Sequence, residues 1–395
     1  MGNTASAIGM ALMIWPAVLL MSIVALPFMP YYLVVEGLPG RSGAEFALFL
    51  PDGRHLLVAY KSGRNCRLHR AAIDGSLSTA LTHGDRFDFD PDLSPDGAQI
   101  VFASRTVPHT SNIFIINVDG TGLRALTIGR RDDWAPRFSP DGNHVVFSSL
   151  TGKKQADLYV VDADGSNLRQ LTDDKKTHDI CPQFLSDSAT IVFARANWWG
   201  HSSPIASSDW HRFDLYSIDI AGGEPRRLTD TCFYSLEGLI VSPYDSRIIA
   251  IACNTVTTFA CGPGSDLTID SKKLLCDTYG GPCGDQLGGF SISPDGSRLI
   301  FMTYDGDLPE GSHNALHIAP LDTLKATVIL ESDKGLLSPR FSPDASRIVY
   351  RLETHPTGNK THIEVWTANS DGSEPRRIEC PTEDAEPEDN FGDET

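Results

Sequence analysis

One short phrase recurs along most of this chain and limits what it can fold into. It reads Ser139-Pro140-Asp141-Gly142, an apolar run from His144 to Phe147, a second run at Leu158 to Val161, then Asp164-Gly165 and a closing Leu171-Thr172. Pro140 pre-sets φ for a tight turn whose positive-φ position falls to Gly142. Asp164-Gly165 supplies what a two-residue hairpin turn demands. Nothing in the stretch has helical periodicity, so strand, turn and strand are all that the pattern offers.

The phrase returns as Leu50-Pro51-Asp52-Gly53, Ser94-Pro95-Asp96-Gly97, Ser293-Pro294-Asp295-Gly296 and Ser342-Pro343-Asp344-Ala345. Degraded copies at Ser186-Asp187-Ser188 and Ser242-Pro243-Tyr244-Asp245 bring the count to seven. The closing pair recurs as Leu81-Thr82, Leu126-Thr127, Leu228-Thr229 and, weakened, Leu275-Cys276. A four-stranded unit repeating roughly every 45 residues is the signature of a propeller blade. The expected fold is therefore all-β: a seven-bladed β-propeller of four-stranded antiparallel blades over residues 44–378.

Ser-Pro-Asp-Gly, an apolar strand, a strand ending in Asp-x-Asp-Gly and then Leu-Thr resembles the WD40-like repeat of TolB and of the propeller domains attached to prolyl oligopeptidases. The resemblance covers Ala44 to Ile378. It implies the fold rather than a function, because propellers host many unrelated activities. Two departures stand out: seven units where TolB has six blades, and no small α/β domain ahead of them. TolB's partners are therefore not carried over, and no sequence remains for the peptidases' hydrolase domain.

The 395 residues, 41% apolar, are ample for a large core. A net charge of -18 argues against nucleic acid as a partner. Part of that excess lies in residues 379–395, where Glu379, Glu383, Asp384, Glu386, Glu388, Asp389, Asp393 and Glu394 stand without a basic residue. Such a run reads as a solvated, disordered tail, with cation or partner binding as the other reading.

The first 35 residues hold no charged side chain, and Ile8 to Val35 is predominantly apolar. Residues 1–37 are thus expected to form one transmembrane helix that anchors the chain; a cleaved signal peptide is the rival, although no basic n-region precedes the run. Met1-Gly2-Asn3-Thr4-Ala5-Ser6 also fits an acylation motif. Arg41 and Arg54, counted by the positive-inside rule, favour a cytoplasmic propeller. The cysteines favour the periplasmic or extracellular side: Cys253, Cys261, Cys276 and Cys283 crowd one region and suit disulfides, with unpaired thiols as the alternative.

Antiparallel pairing of strands a to d, counted from the inside of each unit outward, puts the a–b and c–d turns on one face and the b–c and d–a connections on the other. The first face is uniform. The b–c connections are expected to be long loops at Arg195 to Arg212, Asn254 to Ser265 and Tyr304 to His313, and insertions collected on one face of a scaffold mark a working face. The first of these carries Trp198, Trp199, His201, Trp210, His211 and Arg212, a composition suited to recognising a protein or glycan; the other reading is that the rings cap neighbouring blades.

Asp88, Asp133 and Asp179 take equivalent places just ahead of three successive innermost strands. They could ring the channel mouth and bind a divalent cation, or simply accept hydrogen bonds at the corner. No hydrolase elbow, zinc-protease motif or phosphate loop occurs. His313, His317, His355 and His362 leave a metal-assisted lyase or hydrolase at the channel mouth as the alternative to a membrane-tethered, monomeric binding or scaffold module.

Overall fold

A computed structural model describes residues 41–107, 110–150, 155–198, 210–230, 236–242, 247–252, 255–261, 267–268, 273–274, 289–303, 314–357 and 360–380. The expected membrane helix and the acidic tail lie outside them. Among the described residues there is no α-helix, and hence none long and apolar enough to cross a membrane. The chain is all-β.

The strands follow one another in antiparallel groups. The first is β1 (Arg41–Phe49), β2 (His55–Ser62), β3 (Asn65–Ala72) and β4 (Ser78–Ala80); the second is β5 (Phe87–Leu93), β6 (Gln99–Val107), β7 (Thr110–Asn117) and β8 (Arg124–Ala125). The third is β9 (Asp132–Phe138), β10 (His144–Leu150), β11 (Ala156–Asp162) and β12 (Arg169–Gln170); the fourth is β13 (Thr177–Phe184), β14 (Thr190–Trp198), β15 (Trp210–Asp219) and β16 (Arg226–Arg227). Next come β17 (Leu236–Val241), β18 (Ile248–Ala252) and β19 (Thr255–Cys261), against which both β20 (Leu267–Thr268) and β21 (Lys273–Leu274) pair. The last groups are β22 (Phe290–Ile292), β23 (Arg298–Thr303), β24 (Asn314–Pro320) and β25 (Thr327–Ser332), then β26 (Gly335–Phe341), β27 (Arg347–Thr357), β28 (Lys360–Asn369) and β29 (Arg376–Ile378).

Local chemistry explains the recurring turn. The Ser hydroxyl donates to the Asp carboxylate at 2.6 Å in Ser94/Asp96 and 2.5 Å in Ser139/Asp141, and the same carboxylate accepts the amide of Ala98 or Asn143 at 3.0 and 3.1 Å. These bonds hold the carboxyls of Asp96 and Asp141 below the usual range. Gly97 then sits at φ 68°, and a Cβ added there would lie 2.1 Å from Cγ of Pro51 in the preceding turn. Neighbouring turns therefore nest. The two turn types share a face, as the antiparallel order requires: the Ala163 amide of the c–d turn donates to Asn143 O of the a–b turn at 2.7 Å.

Burial follows from stacking these sheets. Apolar clusters fill the space between each group and the next, as where Val146, Leu158 and Leu171 meet Phe184 and Phe193. The last group meets the first in the same way, through Ala44, Leu56 and Val58 against Val349, Val365 and Ile378. Parallel register between β1 and β28, Arg41 opposite Thr361 to Gly43 opposite Ile363, joins the two ends of the ring. Similar short parallel contacts join β3 to β5 and β7 to β9. Among the described residues no strand is exchanged between the first and last groups.

Two loop expectations are corrected. Residues 255–261, read as part of a long loop, form β19, because Thr-Val-Thr-Thr-Phe is a β-branched run that pairs directly back on β18 from Ala252 opposite Thr255. Cys261 consequently ends a strand instead of lying in a loop. In the fourth group the strands run further than expected, with Trp198 in register opposite Trp210 and Asn197 opposite His211.

Candidate functional site

Asp88, Asp133 and Asp179 are equivalent in three dimensions, opposite Ser104, Ser149 and Arg195 respectively on the adjacent strand. All three side chains are fully buried. Their partners are side chains rather than the backbone of a corner. Asp133 accepts the hydroxyls of Ser149 at 2.5 Å and Thr127 at 2.7 Å, with Arg131 at 3.8 Å. Asp179 takes both prongs of Arg195 at 2.7 Å, and Asp88 takes Arg86 Nε at 2.7 Å. Burial pushes each carboxyl above the usual range, and these donors pull it back.

The guanidiniums are themselves seated on rings: Arg86 over Phe114 at 4.9 Å, Arg131 over Tyr159 at 4.7 Å and Arg195 over Tyr216 at 5.1 Å. The threonines are those of the recurring Leu-Thr pair. Thr82, Thr127 and Thr172 each accept the amide of Leu68, Ile113 or Leu158 at 2.9 to 3.0 Å, and Thr127 also donates to Asp133, the aspartate of the next group, at 2.7 Å. Asp133, through Thr127, staples one sheet to the next, while Asp88 and Asp179 are held by arginines of their own groups. Among the described residues no three His, Cys, Asp or Glu side chains gather as a metal site.

Beside Asp179, His178 is buried and takes the Ala156 amide on Nδ1 at 3.0 Å. Burial lowers it to about 4, so it is neutral at physiological pH. Asp157, on β11, is raised to about 7 by burial and by the charges of Asp179 and Asp173, against Arg195 and a hydrogen bond from Gln170.

Of the recognition residues, Trp198 ends β14, while Trp210, His211 and Arg212 begin β15. Trp199 and His201 lie outside the described residues, as do Cys253, Cys276, Cys283 and His313. The cysteines whose thiols are described, Cys66, Cys181 and Cys380, are free. His317 stacks on Phe301 at 5.1 Å, and His362 hydrogen-bonds Ser42 at 3.1 Å.

The sequence reading overlooked a second level of the channel. One residue from each innermost strand occupies a common rung: Leu48, Asp92, Arg137, Gln183, Ile240, Ser291 and Arg340 face Leu57, Val101, Val146, Val192, Ile249, Ile300 and Val349 across their ladders. All seven are half-buried. A sequence signal existed, since each stands two residues before the first residue of a turn phrase or its degraded copy, as in Arg137-Phe138-Ser139-Pro140, except Gln183, which stands three before Ser186.

Solved structures similar to this one are β-propellers. The propeller domain of the trilobed protease of Pyrococcus furiosus matches at 11% identity and TM-score 0.58, covering 87% of this chain and 99% of its own; it is described as having an open velcro topology. An oligogalacturonate lyase in complex with manganese matches at 16% identity and TM-score 0.55, covering 82% and 84%. TolB from Agrobacterium tumefaciens also matches, at 17% identity and TM-score 0.44, covering 65% and 84%. No protein-family model matches the sequence, and no curated protein is similar to it in sequence. Likeness at this level of identity shows the fold alone: the chain is a β-propeller.

Proposed function

We propose that this chain is a seven-bladed propeller, tethered to a membrane by residues 1–37 and displayed on the periplasmic or extracellular side, that binds a protein or glycan through the face bearing its long connections. The observation that carries this reading is the hairpin of β14 and β15. Trp198 and Trp210 stand opposite each other at its tip, with Trp199 and His201 in the connection between them. An aromatic-rich connection on a rigid scaffold is a recognition device. Replacing Trp198, Trp199 and Trp210 together with Ala should abolish capture of a partner by the full chain in a pull-down and leave its thermal unfolding nearly unchanged. A large loss of stability would make these rings a cap over neighbouring blades.

A second reading has one observation in its favour: a propeller of similar fold, the oligogalacturonate lyase, is a lyase that holds manganese. Under it the chain is a metal-assisted lyase or hydrolase working at the channel mouth, with a divalent cation near Asp88, Asp133 or Asp179. Equilibrium dialysis of the full chain against manganese separates the two. One tightly held ion per chain supports the enzyme, and none supports the binding module.

A further inference from the structure

The rung of the channel that carries Arg137 and Arg340 has an unusual distribution of hydrogen-bonding capacity. It lies beyond a bulge in β5 from Asp88, three residues further along the facing strand β6 and so about 10 Å deeper. Among the described residues, Arg340 donates no hydrogen bond and forms no ion pair; its guanidinium lies 5.6 Å over the Phe46 ring. Arg137 donates only to the carbonyl of its own neighbour, Pro136, at 2.7 Å. The Gln183 amide has no hydrogen-bond partner there, and the Ser291 hydroxyl has only a long contact of 3.4 Å to Ile292 O.

The carboxylates nearby are committed elsewhere. Asp92 Oδ2 accepts the Phe138 amide at 2.9 Å and Asp90 Oδ2 the Ala135 amide at 3.2 Å, so both tie β5 to β9 along the channel wall. Neither comes within ion-pair distance of Arg137 or Arg340. The two arginines nonetheless sense each other across the ring. Burial, then the positive charge of Arg137, push the Arg340 guanidinium down to about 10, with Asp92 opposing and Arg351 adding to the repulsion. Two half-buried arginines that form no ion pair, on the same rung as an unpartnered amide and a hydroxyl, are costly as they stand and complementary to one kind of group.

We propose that this collar binds an oxyanion, a carboxylate or phosphate group carried by a ligand that enters the channel, held between Arg137 and Arg340 with Gln183 and Ser291 as further donors. Arg137 and Arg340 supply guanidinium forks, which suit a planar or tetrahedral oxyanion. The charges of Asp92 and Asp90 limit how much negative charge the site accepts. The site does not depend on the loop face, so the pull-down and the experiment below can fail separately.

The test is calorimetric titration of the full chain with inorganic phosphate and, separately, with acetate, at constant ionic strength. Saturable one-to-one binding of phosphate alone identifies a phosphate-bearing ligand, and binding of acetate identifies a carboxylate. Arg340→Gln and Arg137→Gln should each weaken binding about tenfold or more, the scale of a charge-assisted hydrogen bond, while Arg226→Gln at the exposed outer edge should not. Should an arginine variant fail to fold, Gln183→Leu should weaken binding several-fold, and Asp92→Asn should tighten it by removing a competing charge. No saturable binding of either probe, or affinity unchanged in these collar variants, overturns the proposal.

Discussion

The hydroxyl of Thr127 donates to Oδ2 of Asp133 at 2.7 Å while its oxygen accepts the Ile113 amide at 2.9 Å. One side chain thus joins a strand of its own sheet to the first strand of the next, beneath the surface on both sides. Thr127→Val keeps the shape and removes both bonds, leaving a fully buried carboxylate oxygen and an amide without partners. It should destabilise the protein by about 2–4 kcal/mol, measured as a fall in the urea midpoint with unchanged slope.

Asp157 should make stability depend on pH. Its carboxyl is raised to about 7 when folded, against an ordinary value of 3.8. Its favourable contribution is therefore complete below about pH 4 and is lost as pH rises through 7. Asp157→Asn should leave stability unchanged at pH 4 and raise it at pH 8 by on the order of 2 kcal/mol, read from thermal unfolding at the two pH values. Equal effects at both pH values would remove the carboxylate from this account.

Two glycines with similar backbone angles separate conformation from packing. Gly53 has φ 63° and open space around it, whereas a Cβ at Gly97, φ 68°, meets the Pro51 ring. Gly53→Ala should cost about 1 kcal/mol, the price of a left-handed alanine. Gly97→Ala should cost clearly more, and differential scanning calorimetry of the pair gives the energy of nesting one turn on the next.

Arg351, on β27, reaches across the seam to the β1 carbonyls of Ala44, at 3.1 Å, and Glu45, and to Ser338 at 2.8 Å. Arg351→Met should cost about 2–4 kcal/mol. In hydrogen exchange, amides of β1 and β28 should lose protection before those of β9 and β10; uniform loss would mean that the seam is not a separate weak point.

The scaffold was readable in sequence because its chemistry is local. A serine, an aspartate and a glycine within four residues make their own turn, and a Leu-Thr pair marks an outer strand wherever it occurs. The channel collar was not, because Arg137 and Arg340 stand 203 positions apart in the chain and acquire meaning only when seven ladders are placed in register. The aspartates lay between these cases. Their equivalence was visible, but not the arginines and threonines that hold them. The strand at Thr255 to Cys261 was missed because the surrounding cysteines and glycines drew attention away from its β-branched residues.

Among the described residues each sheet of the ring is drawn from one stretch of chain, and the backbones of the two ends pair through three parallel register pairs between β1 and β28. A ring built this way can gain or lose a whole sheet by duplication or deletion of a single stretch, with no strand to rethread. The number of sheets then becomes a variable that descent can change, and with it the width of the passage into which Arg137 and Arg340 project.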